Sequence, residues 1–475
     1  MAGKGVVCCR LKVKPVCRRE TCSSAGVTGR ANGERVVLMS NDRQNTVEAA
    51  RPPWWKTIGP ALITACVVFG PGSLVVSANV GATYGYELLW LLVLAGLVMG
   101  GYMTMSARVG VTAGSSHFST LAREVNRPFA ALLGIVLCLT CASFQFSNNL
   151  AVTLAVSAFA PERYSLAFQI GAVGLLNAVL ILFLFRAHSV FKTIENVMKF
   201  MVGLILLSFL VNLLVARPSV LGILKGLVPG IPKELSLGVP KIVDGTINDP
   251  LVLIASLMGT TFSVAGAFFQ GNLVREKGWD TDDYDRGIGD SVAGVGVLTL
   301  VSMMIMITAG TVILGKPANN IATLAQTLHP LLGPTAFTLF CIGLVPIALN
   351  PFLINAMIGG TALADGLGFP GKLNDFWPRM FTICVLLTGF VIASVGLLLK
   401  IPTVNLMIFG QALTVVGNPL MAATMLWLAN RQSVMGDRRN GLAGNIIGVL
   451  GIIVVLLLAL RMLWFLILHL SLALS

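Results

Sequence analysis

The sequence contains little charge and few histidines. Asp, Glu, Lys and Arg make up 11% of its 475 residues, and there are four histidines, whereas about a quarter of an average soluble domain is charged. With 56% hydrophobic residues and a mean hydropathy of +0.85, the composition excludes an ordinary soluble enzyme. No phosphate-binding loop, Ser-His-Asp set or pair of intramembrane carboxylates occurs, so we expect neither enzymatic activity nor a cofactor.

The hydrophobic residues lie in long runs. A run of about 20 apolar residues crosses the roughly 30 Å hydrocarbon core of a bilayer as one helix. The sequence therefore predicts an all-α, polytopic membrane protein with about eleven spans. Their predicted positions are 58–82, 87–109, 131–158, 165–186, 194–215, 250–273, 289–314, 335–364, 378–398, 403–429 and 442–470.

Positive charge is distributed unequally between the loops that join these spans. If the N-terminus is cytoplasmic, the inner loops carry most of the arginine and lysine, and the outer loops carry less except after the fifth span. The positive-inside rule thus predicts a cytoplasmic N-terminus. We expect the protein to be an integral protein of the plasma membrane. The net charge of +13 follows from this asymmetry and the N-terminal tail, and no basic, aromatic-interleaved module suggests a nucleic-acid partner.

The first 52 residues differ in kind from the rest. They are polar and basic, lack periodicity, and contain four of the nine cysteines, at positions 8, 9, 17 and 22. We expect a disordered cytoplasmic tail over 1–52 and a transmembrane domain over 53–475. Two alternatives stay open: a zinc site in the tail, although the cysteine spacing fits no usual metal site, and translation from Met39.

The run Gly70-Pro71-Gly72-Ser73 interrupts the first span. Glycine permits unusual backbone angles and proline lacks an N–H donor, so the run favours a helix break. Backbone groups freed inside a bilayer are tolerated where they line an enclosed or watery cavity. The interruption therefore indicates a binding site, and a simple proline kink is the alternative.

The sixth predicted span has a weaker interruption of the same kind. Gly259, Gly266 and Gly271 lie in an otherwise apolar run, although glycine is also common where membrane helices pack closely. Two glycine-interrupted spans placed five apart are the pattern expected of a transporter with a site at the membrane centre.

Four segments resemble the Nramp family of proton-coupled divalent metal transporters. They are GPALITACVVFGPGSLVVSANVGATYGYELLW (59–90), RVGVTAG (108–114), ARPSVLGILKGLVPGIP (216–232) and RQSVMGDRRN (431–440). The resemblance covers most of the chain after about residue 53. It implies a LeuT-like fold. Such a fold consists of two repeats of five helices with inverted topology, and the first helix of each repeat, the first and the sixth of the chain, is broken. It also implies secondary transport of a divalent metal.

The chain departs from the family where the metal is expected to bind. The family's first-span motif is Asp-Pro-Gly-Asn, and this chain has Gly70 and Ser73 at its two ends. The sixth-span motif Met-Pro-His falls at Ser263, Val264 and Ala265. The resemblance thus places the site residues at Gly70, Pro71, Gly72, Ser73, Thr261, Ser263, Ala265 and Gln411.

Acidic residues expected to move protons are also replaced. Phe144 and Ser147 stand in the third span where family members often carry acids. Neither side chain titrates, so the groups for proton coupling of the usual kind are absent. The carboxylate, the sulfur and the imidazole of the two motifs are absent as well, so an Mn²⁺ site of the usual kind cannot form. Asp290 is the nearest acid to the core, and we expect it to cap the seventh span.

Three functions fit an uncharged site on this scaffold. The first is transport of a divalent, hard and largely hydrated metal, with Ser73, Ser263 and Gln411 as weak ligands beside free carbonyls near Phe69 and Gly70. The second is transport of a small organic solute or anion, bound by backbone N–H groups at a half-helix N-terminus. The third is a sensor without transport. Lipid and the transported species are the expected partners, and no protein partner is indicated.

Other polar residues have two possible uses each. Asn148 and Asn149 either contact substrate or bond across helices, and Gln411 is equally open to both. Asn350, Asn355 and Asn418 are expected to bond between helices. The acidic stretch at 276–285 is expected to be a solvated connector between the two repeats. The four histidines, at positions 117, 188, 329 and 469, are expected to be interfacial or solvated.

Overall fold

The computed structural model is a bundle of helices with one short β-hairpin. It describes residues 70–157, 165–186, 207–243, 246–316, 318, 321–329, 333, 336–372 and 375–474. The predicted tail over 1–52, the part of the first span before Gly70 and most of the fifth span lie outside these ranges, as do Phe69 and His188.

The helices keep the order that the hydrophobic runs predict. They are α1 (Pro71–Tyr84), α2 (Leu89–Thr112), α3 (His117–Glu124), α4 (Arg127–Ser157), α5 (Ser165–Arg186), α6 (Val220–Gly226), α7 (Val252–Thr261), α8 (Val264–Glu276), α9 (Thr281–Val312), α10 (Ile321–Ala325), α11 (Ala336–Leu367), α12 (Phe376–Leu398), α13 (Thr403–Leu413), α14 (Asn418–Asn430), α15 (Gln432–Met435) and α16 (Leu442–Leu474). Short 3₁₀ turns occupy Gln326–Leu328, Thr414–Gly417 and Gly436–Arg438. The strands β1 (Lys241–Val243) and β2 (Thr246–Asn248) pair antiparallel.

Within the described ranges, seven helical segments are long and apolar enough to cross a membrane. They are Leu89–Thr112, Arg127–Val156, Val252–Glu276, Gly287–Val312, Phe376–Leu398, Thr403–Asn430 and Leu442–Ser471. An eighth is present if Leu207–Ala216 and Val220–Gly226, bent by 118°, form one span. The seven match the predicted second, third, sixth, seventh, ninth, tenth and eleventh spans, and α5 and α11 cover the fourth and eighth.

Glycines bring the spanning helices into backbone contact. A methyl group on Gly110 of α2 would lie 2.3 Å from the carbonyl oxygen of Gly271 on α8. One on Gly134 of α4 would lie 2.7 Å from the carbonyl oxygen of Ala362 on α11. The hydrophobic effect does not drive helices together in lipid, so their association depends on close packing. Small residues of this kind permit that packing.

The connection between the sixth and seventh spans is partly helical. Asp280 caps α9, accepting hydrogen bonds from the N–H groups of Asp282 (2.9 Å) and Asp283 (2.8 Å), and Asp285 pairs with Arg438 at 3.1 Å. The expectation that Asp290 caps the seventh span is wrong, because α9 begins nine residues earlier, at Thr281, and contains Asp290. The acidic stretch, expected to be a solvated connector, therefore caps this helix and pairs with the α15–α16 connection.

The β-hairpin is fastened to α16 by a buried ion pair. The Asp249 carboxylate accepts a hydrogen bond from Arg461 Nε at 2.8 Å and from Leu251 N–H at 2.9 Å. Its side chain is 2% exposed and that of Arg461 is 12% exposed. An acid and a base that are desolvated together must satisfy each other, so this pair fixes the loop that leads into α7.

The tenth predicted span is interrupted, which the sequence analysis did not predict. α13 ends at Leu413, a 3₁₀ turn covers Thr414–Gly417, and α14 begins at Asn418 with Pro419 in its first turn. Proline is tolerated there because an N–H group in the first turn of a helix has no intrahelical acceptor, so its loss costs no hydrogen bond. A mid-span 3₁₀ turn often accompanies a functional site, and Gln411 lies immediately before this one.

Candidate functional site

The first half of the site is the start of α1. Gly70 is extended (φ −117°, ψ −178°), and Pro71 occupies the first helical position. The N–H of Leu74 donates to the Gly70 carbonyl over a long 3.2 Å. α1 thus starts at the predicted interruption, and its N-terminus, with its partial positive charge, is buried there.

The second half is a break between α7 and α8. α7 ends at Thr261, and Phe262 (φ −97°, ψ 73°) and Ser263 (φ −88°, ψ 97°) are not helical. α8 resumes at Val264 with the Ser263 hydroxyl accepting a hydrogen bond from Gly266 N–H at 3.3 Å. The predicted interruption of the sixth span is therefore present, and Ser263 serves as the N-cap of the second half-helix.

Aromatic packing holds this break in place. Phe262 is fully buried, and its ring centroid lies 5.1 Å from that of Tyr102 on α2. The Tyr102 hydroxyl donates to the Gly448 carbonyl on α16 at 2.8 Å. Three spans thus meet at Phe262, which makes the non-helical residues a fixed part of the core.

Gln411 on α13 contacts both halves of the site. A methyl group on Gly72 of α1 would lie 1.9 Å from Gln411 Nε2, and one on Gly259 of α7 would lie 2.7 Å from the Gln411 carbonyl oxygen. Gln411 is 2% exposed, and its Oε1 has no hydrogen-bond partner among the described residues. A buried acceptor without a partner is costly, so this oxygen is available to a ligand.

Asn148 on α4 brings a third helix to the first interruption. A methyl group on Gly70 would lie 3.3 Å from Asn148 Oδ1 and 3.0 Å from Cγ of Pro351 on α11. Asn148 is 2% exposed, and its Nδ2 has no partner in the described part of the chain. This amide therefore faces the site.

The neighbouring Asn149 has a structural role. Its Oδ1 accepts a hydrogen bond from Asn177 Nδ2 on α5 at 2.8 Å, and its own Nδ2 donates to the Gln145 carbonyl at 2.7 Å. It thus bonds across helices, as one of the two alternatives for the pair expected, while substrate contact by Asn148 stays a prediction.

Asn418 was expected to bond between helices and does so at the break itself. Its Nδ2 donates from α14 to the Phe262 carbonyl at 3.3 Å, while its Oδ1 has no partner among the described residues. The sequence reasoning missed it as a site residue. The Gly417-Asn418-Pro419 run, which resembles the first interruption in composition, was the available signal.

The predicted site residues are all buried, but the contacts join only some of them. Gly72 meets the side chain of Gln411, Gly70 meets Asn148, and the Gln411 carbonyl oxygen lies against Gly259. Ser73, Thr261, Ser263 and Ala265 are between 1% and 3% exposed on the same half-helices, and the contacts to Gln411 and Asn148 given above do not include them. Their role in binding stays a prediction.

The site is lined by neutral groups. Gln411, Asn148 and Asn418 supply amides, and Ser73 and Ser263 supply hydroxyls. Nowhere in the described ranges do three or more His, Cys, Asp or Glu side chains form a group that could hold a metal ion. The remaining electrostatic features are helix ends: the C-terminus of α7 carries partial negative charge, and the N-termini of α1 and α8 carry partial positive charge.

His117 corrects the expectation for the histidines. His329 and His469 are exposed, but His117 at the start of α3 is 1% exposed. Its Nε2 lies 3.2 Å from Ser106 Oγ on α2, and its ring centroid lies 5.4 Å from that of Phe268 on α8. The prediction of a solvated or interfacial side chain is wrong here, because the His117 ring packs against Ser106 of α2 and Phe268 of α8.

Acid is expected to destabilise the protein through His117. Burial lowers the pKa of His117 to about 4, with a smaller contribution in the same direction from the Arg275 charge and opposing hydrogen bonds to Ser106 and Asn272. An unfolded histidine titrates near 6.5, so the unfolded state takes up the proton first as the pH falls below about 6.5. Between pH 7 and pH 5 the free energy of unfolding should fall by about 2 kcal/mol from this residue.

Thermal unfolding in detergent over pH 5–7 measures this effect. His117→Gln should lose most of the slope, whereas His329→Gln, a change at an exposed histidine, should keep it. An unchanged slope in His117→Gln would show that other groups cause the acid sensitivity.

Comparisons with known proteins show the family and the fold. The model of the Nramp family, described as natural resistance-associated macrophage protein-like, matches residues 61–465. The divalent metal cation transporter MntH of Deinococcus radiodurans is 25% identical over 418 residues, covering 86% of this chain and 89% of the relative. MntH of Acidiphilium cryptum is also 25% identical, over 433 residues, covering 86% and 92%.

A solved structure has the same architecture. The Eremococcus coleocola manganese transporter, solved with an aromatic bis-isothiourea substituted compound, superposes with a TM-score of 0.71 at 18% identity, covering 86% of this chain and 87% of that one. The fold is thus the LeuT-like arrangement of inverted five-helix repeats, as the sequence resemblance implied. Because the family model covers most of its length, this protein belongs to the natural resistance-associated macrophage protein-like (Nramp) family of integral membrane proteins.

Proposed function

We propose that this protein is a secondary transporter that carries a divalent metal cation through an uncharged site. The observation that carries the proposal is the position of Gln411. Its side chain lies against Gly72 and its backbone against Gly259, so one residue touches both interrupted spans. Its Oε1 is buried without a partner in the described part of the chain.

Among the unpartnered side-chain amide atoms of the candidate site, oxygen acceptors outnumber nitrogen donors. Gln411 Oε1 and Asn418 Oδ1 are acceptors, and Asn148 Nδ2 is a donor. The last turn of α7 adds carbonyls that have no intrahelical partner, at the negative end of the helix dipole. Neutral oxygens of this kind suit a hard cation that keeps part of its water. Ser73, Ser263 and Gln411 are the proposed side-chain ligands, with weak coordination and little selectivity for Mn²⁺.

Family membership supports the same substrate class. The two relatives described above are named divalent metal cation transporters and align over 86% of this chain. By analogy with them, we propose a plasma-membrane location with the N-terminus in the cytoplasm, a cytoplasmic tail over 1–52 and the transporter domain over 53–475. The proposal includes no catalysed reaction and no protein partner.

The second candidate is a carrier of a small organic solute or anion. Asn148, whose Oδ1 lies beside Gly70, has an unpartnered donor in its Nδ2, and the N-termini of α1 and α8 both reach the site. Helix N-termini favour anions, and no acidic side chain at positions 70–73 repels them. The unpartnered acceptors favour the cation, and a sensor without transport is the third alternative.

Uptake into proteoliposomes tests the proposal. Mn²⁺ and Mg²⁺ uptake is measured with purified protein, with and without an inward proton gradient. Saturable uptake is expected for the unmodified protein and not for Gly70→Trp, since even a methyl group at Gly70 meets Pro351 and Asn148. Gly296→Trp is the matched control, because a methyl group added at Gly296 in α9 would meet no atom within 4 Å outside its own helix backbone.

The outcomes separate the candidates. Uptake of neither ion by folded protein would overturn the metal assignment, and binding of amino or carboxylic acids would then support the organic carrier. Equal loss in Gly70→Trp and Gly296→Trp would mean that the variants fail for structural reasons. In that case Gln411→Ala, which removes the shared side chain without adding volume, decides whether the site is used.

A further inference from the structure

A wide apolar groove lies outside the candidate site, between α4, α12 and α13. Its volume is about 650 Å³. Phe146 and Phe409 line it together with aliphatic side chains and a few hydroxyls. No Asp, Glu, Lys, Arg or His lines it, so the groove is unsuited to the polar substrate proposed above.

The groove opens toward the bilayer. Leu139 of α4, Ile392 of α12 and Leu399, which follows α12, all line it and are 61%, 46% and 67% exposed. Both α4 and α12 belong to segments long and apolar enough to cross a membrane. Exposed leucine and isoleucine on such helices face lipid chains, because water is absent from the hydrocarbon region.

A lysine lies at one end of the groove. Leu399 and Ile401 both line the groove, and Lys400 between them is exposed. Lys400 has a left-handed conformation (φ 56°) just after α12, and its N–H donates to the Leu397 carbonyl at 3.0 Å. No carboxylate forms an ion pair with Lys400 among the residues that the structure describes.

We propose that this groove binds an acyl chain of an anionic phospholipid whose phosphate pairs with Lys400. The apolar lining matches a hydrocarbon chain, and the lysine at the end of a spanning helix is at the level of lipid headgroups. An exposed lysine at the membrane surface attracts the phosphate of an anionic lipid, and no carboxylate of the described residues competes for it. Lys400 and the groove together therefore favour a ligand that carries both an anionic phosphate and a hydrocarbon chain.

Such a lipid would contact the helix that carries Gln411. Leu406, Phe409 and Leu413 of α13 line the groove, and a methyl group on Gly410 would lie 2.8 Å from Cδ1 of Phe146, another lining residue. A bound chain would thus support α13 from its lipid side, opposite to the contact of Gln411 with Gly72. This consequence concerns the proposed transport site, but lipid binding itself does not depend on the transported substrate.

Native mass spectrometry of delipidated protein, titrated with phosphatidylglycerol and with phosphatidylcholine, tests the proposal. The unmodified protein is expected to retain one tightly bound phosphatidylglycerol. Lys400→Gln should weaken that binding about fivefold, which corresponds to about 1 kcal/mol. Lys316→Gln changes another exposed lysine just beyond a spanning helix and should leave the binding unchanged.

A second pair of variants tests the groove. Thr388→Trp fills it from an exposed position on its wall and should weaken both lipids at least about tenfold. Leu387→Trp places the same ring on the neighbouring residue, which is 45% exposed and does not line the groove, and should have no effect. Unfolding midpoints of all variants are compared with that of the unmodified protein.

Two results would overturn the proposal. Equal phosphatidylglycerol binding by Lys400→Gln and the unmodified protein would reject the pairing of the phosphate. Equal binding by Thr388→Trp and Leu387→Trp would reject the groove as the site. Tighter binding of a free fatty acid than of phosphatidylglycerol would likewise contradict a phospholipid as the natural occupant.

Discussion

Gly72→Ala should lower substrate uptake at least about tenfold, a loss equivalent to about 1.4 kcal/mol. The added methyl group would lie 1.9 Å from Gln411 Nε2 and 2.5 Å from Gln411 Cδ. The amide must therefore move away from α1, and the Oε1 atom that we propose as a ligand moves with it. Initial uptake rates in proteoliposomes measure the effect, and Gly296→Ala is the control because its methyl group meets open space.

A double variant shows whether Gly72 acts through Gln411. Gln411→Ala should reduce uptake by a similar factor, and Gly72→Ala combined with Gln411→Ala should be no worse than either alone, since coupled residues are not additive. Multiplied losses in the double variant would contradict the idea that the two residues form one element of the site. Retained uptake in Gln411→Ala would remove the glutamine from the binding site.

Introducing an acid and a thioether should create a tight Mn²⁺ site. Gly70→Asp with Ser263→Met restores two of the side-chain types that the Nramp motifs carry and that this chain lacks. A carboxylate is a better ligand for Mn²⁺ than neutral hydroxyls and amides. The thioether is a softer ligand than the serine hydroxyl and favours a transition metal over Mg²⁺. We expect Mn²⁺ affinity to rise about a hundredfold, or roughly 2.7 kcal/mol, as measured by calorimetry on purified protein.

The matched control replaces the charge and keeps the shape. Gly70→Asn with Ser263→Met has nearly the same volume near Pro351 and Asn148, the side chains that a substituent at Gly70 meets. It should show little of the gain. Ser263→Met also removes the N-cap of α8, at a cost of about 1 kcal/mol, so unfolding midpoints are compared. No gain in folded Gly70→Asp, Ser263→Met protein would mean that the two interruptions do not face a common cavity.

The two interruptions were predictable because their cause is local. Gly70 and Pro71 change the backbone at their own positions, whatever surrounds them, and α1 does begin at Pro71. Glycines flanking the second break likewise predicted the end of α7, although the non-helical residues are Phe262 and Ser263. The resemblance to the Nramp family, confirmed by the match over residues 61–465, connected these local signals to a known fold.

The roles of the asparagines were not predictable in the same way. Asn148 and Asn149 are adjacent on α4, about 100° apart around the helix axis. One faces Gly70 and the other bonds to Asn177 on α5. Which neighbour each one meets depends on the rotation of α4 against the other helices. Hydropathy carries little information on that rotation in a span that is apolar on every side.

The amino-acid sequence alone determined the membrane class, most of the span positions, the family and the absence of charge at positions 70–73, because these depend on composition and local backbone chemistry. Only the tertiary structure showed that Gln411 lies between Gly72 and Gly259, that Asn418 bonds to the Phe262 carbonyl, and that His117 is buried. These contacts join residues between about 11 and 340 positions apart, and they form when helices pack. The packing of glycine against glutamine, which a side chain on either glycine would prevent, decides where the neutral site lies.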